Sequence, residues 1–110
     1  MWTPDPSMFV TAAQKAAAAK DAGLAAYKGA FDAHLDEVAG ERQYDSRYTI
    51  TAYAVSTNPA WAAEANAFIA WRDACLIYMF SLMSSVEAGE SAAPTIAEFI
   101  GGMPEIAWPA

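Results

Sequence analysis

The sequence predicts a mainly α protein. A long central helix spans about 59–88, with a long Ala-rich N-terminal helix, short covering helices and an extended C-terminal tail. Three observations carry this expectation. Apolar residues recur in steps of three and four from Trp61 to Val86, the spacing of one helical face. That stretch has a written start, Asn58 and Pro59, and a written stop, Gly89. The chain before Gly40 is rich in alanine, the strongest helix former.

In chain order, Met1 to Pro6 holds two prolines and reads as irregular. Ser7 can cap a helix running from Met8 to about Val38. Gly23 and Gly29 weaken it by about 1 kcal/mol each relative to Ala. Leu24, Tyr27, Phe31, His34 and Val38 alternate steps of three and four, a coiled-coil seam. The register continues backwards through Val10, Ala13, Ala17 and Lys20. Such a helix can fold back on the central one or pair with copies of itself. Residues 1–40 therefore read as an oligomerising or partner-binding helix, and 41–110 as a small helical domain.

Gly40 is the expected stop of the first helix. Asp45 or Ser46 then caps a short element over 46–55. Thr49, Thr51 and Val55 favour strand by propensity. The preceding cap and the lack of a partner strand favour helix, with Ile50, Tyr53 and Ala54 on one face. In the central helix the apolar stripe is Trp61, Ala65, Phe68, Cys75, Met79, Leu82 and Val86. Arg72 fills its one missing place and, if buried, needs a carboxylate from Glu41, Asp45 or Glu98. Adjacent Arg72 and Asp73 point about 100° apart, which argues against their pairing. Ala74 to Phe80 is apolar nearly all round, so burial on more than one side is expected. Thr95 and Glu98 make a capping-box pattern for a short helix with Ile96, Phe99 and Ile100 on one side. The tail from Met103 reads as an extended segment over an apolar surface.

The totals exclude several classes. The chain has 110 residues, 55% of them hydrophobic, and a net charge of −7 from 13 acids and 6 bases. One domain is the default at this length. Scattered bases argue against nucleic acid and against an anionic membrane surface. Ala74 to Met83, the longest near-continuous apolar run, falls short of the roughly 20 residues a bilayer span needs. Met1 to Val10 lacks the features of a signal peptide. Cys75 is the single cysteine and sits on the apolar stripe, a small hydrophobe rather than a nucleophile. His34 has only Glu37 at metal-ligand spacing on a helix. No phosphate loop, catalytic triad order or zinc spacing occurs. The expectation is a binder with no cofactor and no catalytic or metal site. Trp2, Met8, Phe9, Tyr27, Phe31 and Trp108 are the contact candidates, since aromatic and Met side chains give large area for little entropy.

Two stretches, AWAAEANAFIAWRDA and SVEAGESAAPTIAEFIGGMPEIAWP, carry a resemblance. PEIAWP, Pro104 to Pro109, after a helix bearing Trp71, resembles the C-terminal region of caudoviral tail fibre assembly proteins, small products of bacteriophages. The resemblance covers roughly the last half of the chain. It implies a chaperone that helps a tail fibre protein fold or trimerise, acting in the host bacterial cytoplasm during assembly, and it adds Trp71 and Ile106 to the contact candidates. The alternative is a permanent component of the virion tail, a fibre or baseplate connector. Self-association, as a trimer or other oligomer, fits that second reading.

Overall fold

A computed structural model describes residues 12–110, and their side chains from 23 onward. Among the described residues four helices follow one another: α1 Ala12–Gly40, α2 Arg47–Ala52, α3 Pro59–Glu87 and α4 Ile96–Gly101, with a 3-10 turn at Tyr53–Val55 extending α2. No strand occurs among the described residues. The protein is mainly α, and its long helix lies where the periodicity places it.

Local signals set the helix ends. The Asn58 side chain accepts from the backbone N–H groups of Ala60 and Trp61, orphan donors of a helix start. Gly89 adopts φ 75° and carries the chain out of α3, a conformation that favours glycine. Ser46 accepts from Tyr48 and Thr49 and starts α2. This cap settles 46–55 as helix against the strand propensity of its threonines. Thr95 and Glu98 form the complete capping box of α4. α1 ends at Gly40, as expected, and the left-handed position of the reversal that follows is Gln43, φ 69°. The Tyr44 N–H donates back to Ala39 O at 3.2 Å, closing the reversal.

α1 and α3 run antiparallel. Tyr27 lies beside Met83 and Val86, the His34 ring is 5.8 Å from that of Trp71, and Arg42 pairs with Glu64. The seam of α1 faces its own chain: Phe31 and Val38 are buried, joined by Leu35 and Ala39. α1 from Tyr27 onward thus packs into the same core as the other helices. α2 brings Ile50 into that core, and α4 brings Phe99. Phe99 meets Tyr27 edge-on at 5.4 Å and stacks on Tyr78 at 5.8 Å.

Three readings of α3 need correction. Arg72 is not on the buried stripe. Trp71 takes that place, 6% exposed, between Phe68 and Cys75. Both positions satisfy a step of three or four after Phe68, and only the position of α1 and the tail decides between them. Arg72 instead lies at the surface, with its Nε and Nη2 donating to Asp73 Oδ1 at 3.1 and 2.9 Å. The long flexible Arg side chain spans the angle that separates the two Cβ atoms. The segment 74–80 is also not enclosed: Ile77 is 68% and Phe80 62% exposed. By length and mean hydropathy, 1.2 over its most apolar window, α3 could cross a membrane, and 22% of that window is buried within the chain. The uninterrupted run Ala74 to Met83 understates this property.

Three side-chain ties to backbone carbonyls hold the C-terminal third. Tyr27 Oη donates to Pro94 O, and Trp71 Nε1 donates to Pro104 O at 2.6 Å. Tyr78 Oη donates to Phe99 O at 3.0 Å. A Cβ on Gly102 would lie 2.5 Å from Tyr78 Oη. Gly102 has an ordinary φ of −89°, so the obstacle is space, not backbone strain. Gly102→Ala is expected to push the Tyr78 ring aside and cost about 1–3 kcal/mol, read as a lower urea midpoint. The double variant with Tyr78→Phe should recover part of the loss, because the obstructing oxygen is gone.

Carboxylates tie helix starts as well. Asp36 of α1 accepts from Arg47 N at 2.9 Å and Arg47 Nη1 at 2.7 Å, joining α1 to α2. The Arg47 backbone N–H holds the Asp36 carboxyl below its ordinary 3.8; partial burial opposes this, and the guanidinium adds to the lowering. The Thr95 backbone N–H likewise lowers Glu98 below its ordinary 4.5. In both cases the unfolded chain takes up protons first, so the stabilisation is present at neutral pH. It begins to fade below the ordinary values and is lost as pH falls through the folded ones. The urea midpoint is expected to fall between pH 6 and pH 3, with a shallower fall in Asp36→Asn.

Candidate interaction surface

The loop after α1, the 3-10 turn, the start of α3 and the end of the tail meet at one end of the helix pair. The α1 reversal brings Tyr44 there, and its ring lies 5.4 Å from that of Tyr53. Tyr53 meets Trp61 edge-on at 5.8 Å. Trp61 projects from the first turn of α3 and stays 49% exposed. Two bonds, both of 3.3 Å, converge on Glu64: Arg42 Nη1 donates to Oε2 and Tyr44 Oη to Oε1. Burial and the Glu64 carboxylate push the Tyr44 phenol above its ordinary 10.0. It therefore remains a donor at neutral pH. The Arg42 guanidinium also lies 5.0 Å over the Trp108 ring, and Trp108 Nε1 donates to Glu41 at 3.3 Å. Tyr44, Tyr53, Trp61 and Trp108 thus form one partly exposed aromatic surface, pinned by Arg42 and Glu64. Val55, at the end of the same 3-10 turn as Tyr53, is 90% exposed.

The residues singled out from sequence divide into three groups. Trp2, Met8 and Phe9 lie outside the described residues. Phe31, 2% exposed, and Trp71 are core residues, so neither offers a free contact face. Their aromatic area is used inside the chain, against α3 and the tail. Tyr27, Ile106 and Trp108 are half-buried, and of these only Trp108 belongs to the aromatic end. Sequence reasoning missed Tyr44, Tyr53 and Val55 as surface residues and assigned Trp61 to the buried stripe. Their juxtaposition depends on the Gln43 reversal, which no glycine announces.

Cys75 is fully buried, and burial pushes its thiol up to about 11, far from reactive thiolate character. Among the described residues no three of His, Cys, Asp and Glu converge as metal ligands. Each Lys or Arg from 23 onward is matched by a carboxylate of the same chain: Lys28 by Asp32, Arg42 by Glu64, Arg47 by Asp36 and Arg72 by Asp73. Compared with known proteins, the chain matches no family model, no curated protein and no solved structure.

Proposed function

We propose that this protein works by contact with another protein, through its aromatic end, and that the partner is a bacteriophage tail fibre polypeptide whose assembly it assists. The observation that carries the contact reading is the cluster of Tyr44, Tyr53, Trp61 and Trp108 around the Arg42–Glu64 pair. Trp, Tyr and Arg are the residue types that dominate binding energy at protein interfaces. Here intramolecular contacts hold them in place before any partner arrives, which lowers the ordering cost of association. The resemblance of Trp71 and PEIAWP to tail fibre assembly proteins supports the choice of partner. In this reading Trp71 anchors the tail by its bond to Pro104 O, and Trp108 presents the tail's end to the fibre.

Co-expression with a tail fibre protein tests the reading. The fibre is expected to be recovered as a trimer with the chain present and as aggregate without it. A fibre that trimerises and adsorbs normally alone would contradict it. Mass spectrometry of purified particles then separates a released assembly factor from a permanent tail component.

A further inference from the structure

A cavity of about 470 Å³ lies between α1 and the tail, and we infer that it binds a small organic ammonium ion, a primary amine carried on an apolar body. The volume falls within the roughly 300–1,000 Å³ of small-molecule pockets. α1 supplies His34, Val38 and Glu41, whose steps of four and three put them on one helical face. Trp71 of α3 and Glu105 and Trp108 of the tail also line the cavity. Two bonds between distant residues set these walls. Trp71 Nε1 donates to Pro104 O at 2.6 Å, and Trp108 Nε1 donates to Glu41 at 3.3 Å. The walls are therefore tied to one another within the single chain, before a ligand arrives.

Charge names the ligand class. Two carboxylates line the cavity, and no Lys or Arg among the described residues does. Neither carboxylate has a cation of its own. Lys28, Arg42, Arg47 and Arg72 are paired instead with Asp32, Glu64, Asp36 and Asp73. Among the described residues Glu41 accepts only the Trp108 N–H, and the Glu105 side chain makes no bond. His34 touches the Trp71 ring and makes no hydrogen bond there either. Its neutral imidazole has one nitrogen able to accept, and an ammonium has three N–H donors. Glu41, Glu105 and His34 thus offer three acceptors on one cavity. The indoles of Trp71 and Trp108 add the ring faces that attract cations. Arg42 lies over the Trp108 ring at 5.0 Å but does not line the cavity, so that contact leaves it open. Val38, Ile106 and the indoles receive the apolar body. The lysine side chain of another protein would leave most of this volume unfilled, which favours a free small molecule.

The test titrates the purified full chain with 2-phenylethylamine and with its neutral counterpart, 2-phenylethanol. The amine is expected to bind with a dissociation constant below about 1 mM, a modest affinity for a ligand of its size. It should bind at least tenfold more tightly than the alcohol, and it should shift the indole N–H resonances of Trp71 and Trp108. The double variant Glu41→Gln with Glu105→Gln removes both charges. Gln at 41 keeps an acceptor for Trp108, and Glu105 is exposed, so the melting temperature should hold. Amine binding should weaken at least tenfold in this variant. Equal binding of amine and alcohol would overturn the inference, since a merely apolar groove does not tell them apart. So would full amine affinity in the double variant, or no saturation at several times the expected concentration. Tighter binding of Nα-acetyllysine methylamide than of the amine would also overturn it, by making the cavity a contact for another protein's lysine. No fibre polypeptide is present, so the result is independent of the proposed partner.

Discussion

Trp71→Ala is expected to destabilise the protein by about 3–5 kcal/mol, the usual loss for truncating a buried Trp. In a domain of this size that lowers the melting temperature by more than about 12 °C. The size of the effect follows from what the ring touches. It packs at 5.5 Å on Phe68 and at 5.8 Å on His34, and its Nε1 ties down Pro104 O. Removing it opens a cavity between α1 and α3 and releases the tail. Trp71→Phe separates the two contributions. It keeps most of the apolar contact and loses the hydrogen bond, and should cost about 1–3 kcal/mol. Urea unfolding followed by circular dichroism reads both. A loss of under 1 kcal/mol for Trp71→Ala would show that the ring is not in the core.

The second large effect is expected from Phe99→Ala. Phe99 is fully buried and is the residue through which α4 meets both α1, at Tyr27, and α3, at Tyr78. α4 has six residues, too few to hold a helix without tertiary packing. The expected loss is about 3–5 kcal/mol, and it is not confined to the side chain. Amide exchange across 95–103 should accelerate more than in α3, because α4 detaches before the helix pair separates. Equal acceleration throughout would mean that α4 contributes no separable unit.

Much of the local structure was legible because it is written by neighbours in sequence. Asn58 with Pro59, Ser46, Thr95 with Glu98, and Gly89 each act within a few residues of themselves, and each works as its residue type predicts. The face of α3 was legible only in part. The periodicity found Ala65, Phe68, Cys75 and Met79, yet it could not choose between Trp71 and Arg72. It also could not say that Ile77 and Phe80 would be left uncovered. Those outcomes depend on how far α1, α2 and the tail wrap round the helix. The wrap is fixed by bonds such as Tyr27 to Pro94 and Trp71 to Pro104, which join distant residues through carbonyls that any sequence supplies. The aromatic end was the least legible part. Tyr44, Tyr53, Trp61 and Trp108 come from four separate segments, and a left-handed Gln43 brings the first of them into place.

Titration calorimetry of the C-terminal region of a tail fibre protein against the wild-type chain and against Trp61→Ala tests the central claim most directly. Trp61 is half-exposed at the aromatic end and absent from the buried core, so the variant should keep its melting temperature. The wild type is expected to bind, and the variant to bind at least tenfold more weakly, the loss of about 1.4 kcal/mol or more that marks an interface anchor. Equal affinity of the two chains, or no binding by the wild type, would contradict the account.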